Sequence, residues 1–285
     1  MSEYVIEVEN LSYSYPRKAN VLRNISFKVK KGEVLGIIGP NGAGKSTLCK
    51  ALNGLVPHFY GGRFSGRVVV AGMNTLEHTV AELATKVGLV FQDPEEQLSG
   101  VALTVYEEVA FGLSMLGFPK EEIDVRVKEA IKKVGLEGLE WRAPFELSGG
   151  QTQRLAIATV LALKPEVLVL DEPTAQLDPI GKFEVFSVIK KLAEEGSTIV
   201  VVEHEIEELA TFADNIMLLN EGRVVAYGPA RKVLGMVEEL KKCGVNPPSV
   251  TELTYLLKKE VGVDLEVPIT LEEAIKIYGE ALGVM

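Results

Sequence analysis

The chain has 285 residues, 47% of them hydrophobic, and 40 Asp and Glu against 30 Lys and Arg leave a formal net charge of −10. That excess of acid argues against a nucleic-acid partner, whose binders gain most of their affinity by neutralising phosphates with Lys and Arg. The length predicts a main domain plus an appendage, and the two cysteines, Cys49 and Cys243, follow no metal-ligand spacing and read as free thiols of a reducing compartment.

The N-terminal MSEYVIEVEN is charged and strand-like, unlike a signal peptide. Alternating segments follow at YVIEVENLSYSY and NISFKV, and then EVLGIIG runs into a glycine-rich loop and the helical stretch TLCKALNGL. Further strands are predicted at GRVVVAG, KVGLVFQ, EVLVLDE, STIVVVE and NIMLLNEGRVVAYG. VLVL and TIVVV are near-continuous apolar runs, as parallel strands covered on both faces require. Between Thr104 and Leu163 the pattern turns helical, with Ile123, Val127, Ile131 and Val134 at helical spacing. Its most apolar run, 155–163, is about half of the roughly 20 residues a membrane span needs, so the chain is expected not to cross a membrane.

After about Gly228 two short amphipathic helices are predicted. Ser249 with Glu252, and Thr270 with Glu273, have capping-box spacing, and Leu271, Ala274, Ile275 and Tyr278 form one apolar stripe. Two such helices cannot bury that surface between themselves, and are expected to pack on the main domain or on another chain.

Three segments carry chemistry. Gly39, Pro40, Asn41, Gly42, Ala43, Gly44, Lys45, Ser46 and Thr47 match GxxxxGK[ST] between a strand and a helix. Gly42 and Gly44 let backbone N–H groups turn toward phosphate oxygens at a helix N-terminus. Lys45 is placed to reach the β- and γ-phosphates of ATP, and the Ser46 hydroxyl to ligate Mg²⁺. Asp171 and Glu172 end an apolar strand, an expensive place for two carboxylates without a cation nearby. Asp171 suits the Mg²⁺ shell and Glu172 a general base for the attacking water. In LSGGQ, Ser148 and Gln151 have capping-box spacing, yet Gly149 and Gly150 in a first turn cost about 1 kcal/mol each relative to Ala. Glycines there admit a close approach to the backbone, and the helix start favours an anion. One chain thus offers two phosphate-facing helix starts.

The order of these segments resembles the ATP-binding-cassette (ABC) ATPases over roughly residues 4–228. The resemblance implies an α/β P-loop NTPase fold, with a RecA-like core, an antiparallel β subdomain and a helical subdomain at about 95–163. The nucleotide-binding domain would be 1–228. The same resemblance implies ATP hydrolysis with Mg²⁺, and a head-to-tail pair in which Ser148, Gly149, Gly150 and Gln151 face the ATP of a second ATPase subunit. Tyr15 would stack on adenine, with Tyr13 as a competitor. Asp178 would be a dimer contact, although the usual Ser-Ala pair ahead of it reads Ala-Gln. His204 would contact the γ-phosphate, and Gln92 would reach Mg²⁺ and the attacking water. His58 and His78 fit no motif and are expected at the surface.

The continuation Asp93-Pro94-Glu95-Glu96-Gln97-Leu98, with NPPSVTEL and VPITLEEAI, resembles the energy-coupling-factor class of vitamin and metal-ion importers. That class implies that the α-rich segment 229–285 is a small C-terminal domain for dimerisation, in a peripheral protein on the cytoplasmic face of the cell membrane. Its partners would be a transmembrane coupling protein, met by Glu95 or Glu96 through arginines, and a small substrate-capture membrane protein. The alternatives are an ATPase of a binding-protein-dependent importer and a soluble non-transport ABC protein. The residues identify neither the transported substrate nor a homodimer over a heterodimer.

Overall fold

The computed structural model describes residues 3–282. Ten strands form two sheets. β1 (Tyr4–Tyr15), β2 (Lys18–Lys30), β4 (Arg63–Val70) and β5 (Met73–Asn74) make an antiparallel sheet in the order β2-β1-β4-β5. β3 (Val34–Ile38), β6 (Val87–Val90), β7 (Val167–Asp171), β8 (Thr198–Val202), β9 (Asn215–Asn220) and β10 (Arg223–Pro229) make the second, in the order β10-β9-β3-β8-β7-β6. Its pairings are parallel apart from the β9–β10 hairpin at its edge.

β3, β7 and β8 are buried at every position, because they lie inside a sheet covered on both faces. Successive side chains then enter different cores. Leu168, Leu170, Ile199 and Val201 pack with the helices on one side. Val167, Val169, Val200 and Val202 pack on the other side with the antiparallel sheet and the first helix. The result is three layers around the parallel strands.

Helix α1 (Lys45–Leu52) follows β3, the short α2 (Leu55–His58) packs on β4, and the short α3 (Val80–Ala84) packs on β6. α4 (Val105–Met115), α5 (Lys120–Lys133) and α6 (Gly149–Leu161) form the helical region, with Val127, Ile131 and Val134 buried in its core. α7 (Pro179–Glu194) packs on α6, and α8 (Ile206–Leu209) follows β8. α9 (Ala230–Leu234), α10 (Val237–Lys242), α11 (Ser249–Leu256), a π-helical turn Leu257–Val261, and α12 (Leu271–Leu282) complete the described residues.

Val233, Leu234, Leu240, Val245 and Ile269 join the same core as the helical region, so the segment after Gly228 packs on the main body. Two details there differ from the sequence pattern. Ser249 lies inside α11 and donates from its N–H and hydroxyl to Glu207, while Glu252 pairs with Lys241, so no capping box forms. Glu273 turns to the Ile269 N–H and to Arg231, leaving Thr270 Oγ1 to accept from Glu273 N as half of a box. The expected stripe on α12 also splits: Ala274 is 1% exposed and Tyr278 half-buried, but Leu271 and Ile275 are 63% and 55% exposed. The helix rests on Ala274, with Ile277 and Tyr278 half-buried beside it, a line shifted around its axis.

Candidate nucleotide-hydrolysis site

The loop between β3 and α1 closes on itself. Gly39 has φ 152°, and a Cβ there would stand 2.0 Å from the Leu219 carbonyl oxygen, so only glycine fits against β9. Lys45 opens α1 and bends back: its Nζ donates to the Gly39 and Pro40 carbonyls at 3.0 and 3.3 Å. Ala43 is buried beneath the loop. Asn41, Gly42, Gly44, Lys45, Ser46 and Thr47 line a cavity of about 480 Å³ together with Tyr15, Gln92, Glu172 and His204. Ten predicted residues from five separate segments of the chain therefore meet in one place.

At its floor, Glu172 Oε1 lies 3.3 Å from Lys45 Nζ and 3.0 Å from His204 Nε2, and those two nitrogens are 3.4 Å apart. Lys45 and Glu172 are 4% and 8% exposed, so each charge depends on the other. Glu172 has φ 50°, a left-handed conformation costing about 1 kcal/mol or more in a residue with a Cβ. Its N–H donates to Val202 O, which holds it across the ends of β7 and β8. Asp171, one residue earlier, is buried, and burial pushes its carboxyl up to about 6 against the opposing hydrogen bond with Ser46. Its Oδ1 has no hydrogen-bond partner among the described residues.

That orphaned oxygen beside a hydroxyl is a donor set of the kind Mg²⁺ takes, hard oxygens few in number, with phosphate and water completing the shell. Among the described residues no group of three or more His, Cys, Asp or Glu could hold a metal on its own. The residues thus fit a magnesium ion that arrives with a nucleotide better than a resident metal.

Tyr13 and Tyr15 lie on the same face of β1, but only Tyr15 lines the cavity, its hydroxyl 3.3 Å from Thr47 Oγ1. Tyr13 is buried behind it, donates to Gly61 O, and meets Tyr15 edge-on at 4.8 Å. Lys18 and Val21 also line the cavity, and no motif marked them. The β1–β2 register pairs Tyr15 with Lys18, so the two-residue turn Pro16-Arg17 between alternating runs was the available signal.

Ser148, Gly149, Gly150 and Gln151 lie apart from this cavity. The capping box forms as expected: Ser148 Oγ accepts from Gln151 N, and Gln151 Oε1 from Ser148 N. Gly150, however, has a packing reason: a Cβ there would meet Gly181 Cα of α7 at 2.9 Å. Gly149 is exposed and borders a second cavity, of about 340 Å³, with Gln92, Pro94, Glu95 and Gln176. Asp178 is exposed and caps α7 by accepting from Gly181 N at 2.7 Å. Gln92 is the predicted residue that borders both cavities.

Two further residues near the site had no role assigned from the sequence. Gln97 ties the loop after β6 to α6: Phe91 N donates to its Oε1 at 3.1 Å, and its Nε2 donates to Ala156 O at 2.8 Å and Thr159 Oγ1 at 3.1 Å. Glu95 and Glu96 are exposed on the turn that Asp93 caps. Glu203, beside His204, is a buried acid with no counterpart in any motif. His58 and His78 lie at the surface.

A parallel sheet with a glycine loop at the C-terminal end of β3, and an acid pair ending β7 beside it, define a P-loop ATPase cassette. Residues 22–175 match the ABC transporter family. A putative ABC transporter ATP-binding protein of Pyrococcus abyssi is 50% identical over 273 residues, covering 95% of this chain and 96% of the relative. The energy-coupling factor transporter ATP-binding protein EcfA of Methanocaldococcus jannaschii is 41% identical over 272 residues, 95% of each chain. Among solved structures, CbiO1 from Clostridium perfringens, part of the ABC transporter complex CbiONQ, superposes with TM-score 0.74 at 36% identity, over 89% of this chain and all of that one. A dimeric ATP-binding cassette in a post-hydrolysis state with ADP and Pi gives TM-score 0.67 at 30% identity, over 79% of this chain and 98% of that one. The chain belongs to the ABC transporter family, as an ATP-hydrolysing transporter subunit. No helix among the described residues is long and apolar enough to cross a membrane.

Proposed function

We propose that the chain powers an energy-coupling-factor-type importer of a vitamin or a transition-metal ion. It would sit at the cytoplasmic face of the membrane on a transmembrane coupling protein, beside a small substrate-capture protein, and pair head-to-tail with a second ATPase subunit. The likeness to EcfA over 95% of both chains, C-terminal segment included, supports this class. The observation that carries the mechanism is the loop after β6. Gln92 borders the nucleotide cavity, while Glu95 and Glu96, on the turn just beyond, are exposed to a partner.

In this reading Tyr15 stacks on adenine, and the amides of residues 39–47 with Lys45 Nζ cradle the phosphates. Ser46, Asp171 and Gln92 would hold Mg²⁺, which when bound neutralises charge on the β- and γ-phosphates. Glu172 Oε1 accepts the proton of the attacking water, whose oxygen bonds to the γ-phosphorus as the bond to the β–γ bridging oxygen breaks. His204, within 3.0 Å of the same carboxylate oxygen, orients that base and meets the γ-phosphate. Ser148, Gly149, Gly150, Gln151 and Asp178 would complete the partner subunit's site, and closure of the pair shifts the membrane subunits between states by its differential affinity for ATP.

The test is purification of the intact complex through this chain, with its components named by mass spectrometry. A coupling protein and a small capture protein are expected, and Glu95→Lys with Glu96→Lys should lose both while the chain still binds ATP. An extracytoplasmic binding protein in their place would assign an ordinary importer. Complete assembly with the double variant would remove the acidic turn as the contact.

A further inference from the structure

Glu203 follows directly on β8 and is 2% exposed, in a chain whose other buried acids at strand ends are accounted for by nucleotide chemistry. Burying a carboxylate is costly unless its oxygens are satisfied. Here they are, by two different structures. Oε1 accepts from Thr174 N at 3.2 Å and from Thr174 Oγ1 at 2.8 Å. Oε2 accepts from the N–H of His204 at 3.1 Å. The Glu203 N–H donates to Ile37 O of β3 at 3.3 Å, which fixes its backbone to the strand that feeds the glycine loop.

Thr174 opens the loop that runs through residues 175–177 to Asp178, the N-cap of α7. Val202 O, immediately before Glu203, accepts from Glu172 N. Contacts thus run from Glu172 to His204, from His204 to Glu203 and from Glu203 to Thr174, and the chain through Pro173 closes the ring across the ends of β7 and β8. Within it the Glu203 carboxylate touches both His204 and the first residue of the loop leading to Asp178.

We propose that Glu203 is a positioning residue for hydrolysis: it holds His204 and the Thr174–Asp178 loop in one register, so that a shift of either is felt by the other. The inference rests on the reading of Glu172 and His204 as the hydrolytic pair and of Asp178 as a dimer contact. It adds a route by which that contact reaches the chemistry inside one chain. Removing either arm of the carboxylate leaves ATP binding by the glycine loop in place and loosens His204 relative to Glu172. The loss therefore falls on kcat, because misplacing a catalytic group by a fraction of an ångström costs rate and not ground-state affinity.

The two arms separate by substitution. Glu203→Gln keeps an acceptor for Thr174 but turns an NH₂ toward the His204 N–H. Thr174→Val removes the hydroxyl arm and leaves the His204 arm intact. On the full chain, each should lower kcat about tenfold with KM for ATP within about twofold of wild type, and the double variant should be no slower than the slower single. Unchanged kcat in both single variants, or loss of kcat together with ATP affinity and melting temperature, would overturn the proposal. A readout independent of turnover is the His204 backbone amide resonance, which Thr174→Val should shift from 30 residues away through the shared carboxylate; an unmoved resonance would also overturn it. Glu172→Gln serves as control. If that variant turns over normally, the hydrolytic reading itself has failed; if it is inactive while Glu203→Gln is normal, only the positioning role has.

Discussion

Replacing Gln97 by Met keeps the volume of the side chain and removes its polar atoms, which isolates what its hydrogen bonds do. Three bonds disappear, to Phe91 N, Ala156 O and Thr159 Oγ1. At about 1 kcal/mol each their sum is roughly 3 kcal/mol. The loss is smaller, because Thr159 Oγ1 already donates to Ala156 O at 2.8 Å and keeps that carbonyl satisfied. The half-buried Phe91 N–H is the group left without its acceptor, so about 2 kcal/mol is expected. That energy should appear locally, as opening of the loop after β6 away from α6. In native-state hydrogen exchange the Phe91 amide should exchange about 30-fold faster, the factor that 2 kcal/mol represents. The same variant should also weaken the link between Gln92 and the helix that begins at Gly149. Exchange at Phe91 within about threefold of wild type would refute the idea that Gln97 fastens the loop.

Glu172→Gln should bind ATP and lose about 100- to 1000-fold in kcat, measured by phosphate release under saturating ATP; near-normal turnover removes Glu172 as the base. Gly39→Ala places a Cβ 2.0 Å from Leu219 O, and its relief by moving β9 or the loop should cost about 3 kcal/mol in urea unfolding and abolish ATP binding. Burial raises the Glu203 carboxyl from 4.5 to about 7, so the fold binds its proton more tightly than the unfolded chain does. That contribution to stability is greatest below about pH 4.5 and is lost as pH rises toward 7, by roughly 3 kcal/mol in all. Glu203→Gln should therefore gain stability relative to wild type between pH 5 and about 7 in paired urea titrations, and a constant difference across that range would contradict it.

Much of the site is local chemistry and is legible as such. A glycine loop between a strand and a helix needs only neighbouring residues to define it, and the Ser148–Gln151 capping box closes as its spacing predicts. Tyr13 and Tyr15 could not be separated by alternation, since residues two apart share a face. Depth decided: Tyr13 lies under Phe64 and Gly61, while Tyr15 sits at the open end of the strand. On α12 the apolar spacing points at Leu271 and Ile275, but the buried line runs through Ala274, Ile277 and Tyr278, turned around the helix axis from that spacing.

Taken by itself, the sequence determined the buried strands, the glycine loop and the acid pair, because each depends on neighbours within a few positions or on the periodicity of one element, while the cassette itself entered through the resemblance of their order to a family. Only the tertiary structure decided which groups share an atom. Glu172 Oε1 lies between Lys45 and His204, Glu203 joins His204 to Thr174, Gln97 joins the loop after β6 to α6, and Gly150 meets Gly181. Apart from the adjacent Glu203 and His204, these partners lie 29 to 159 residues apart. Their meeting is set by the parallel order of β3, β8 and β7, which brings three strand ends to one edge of the sheet.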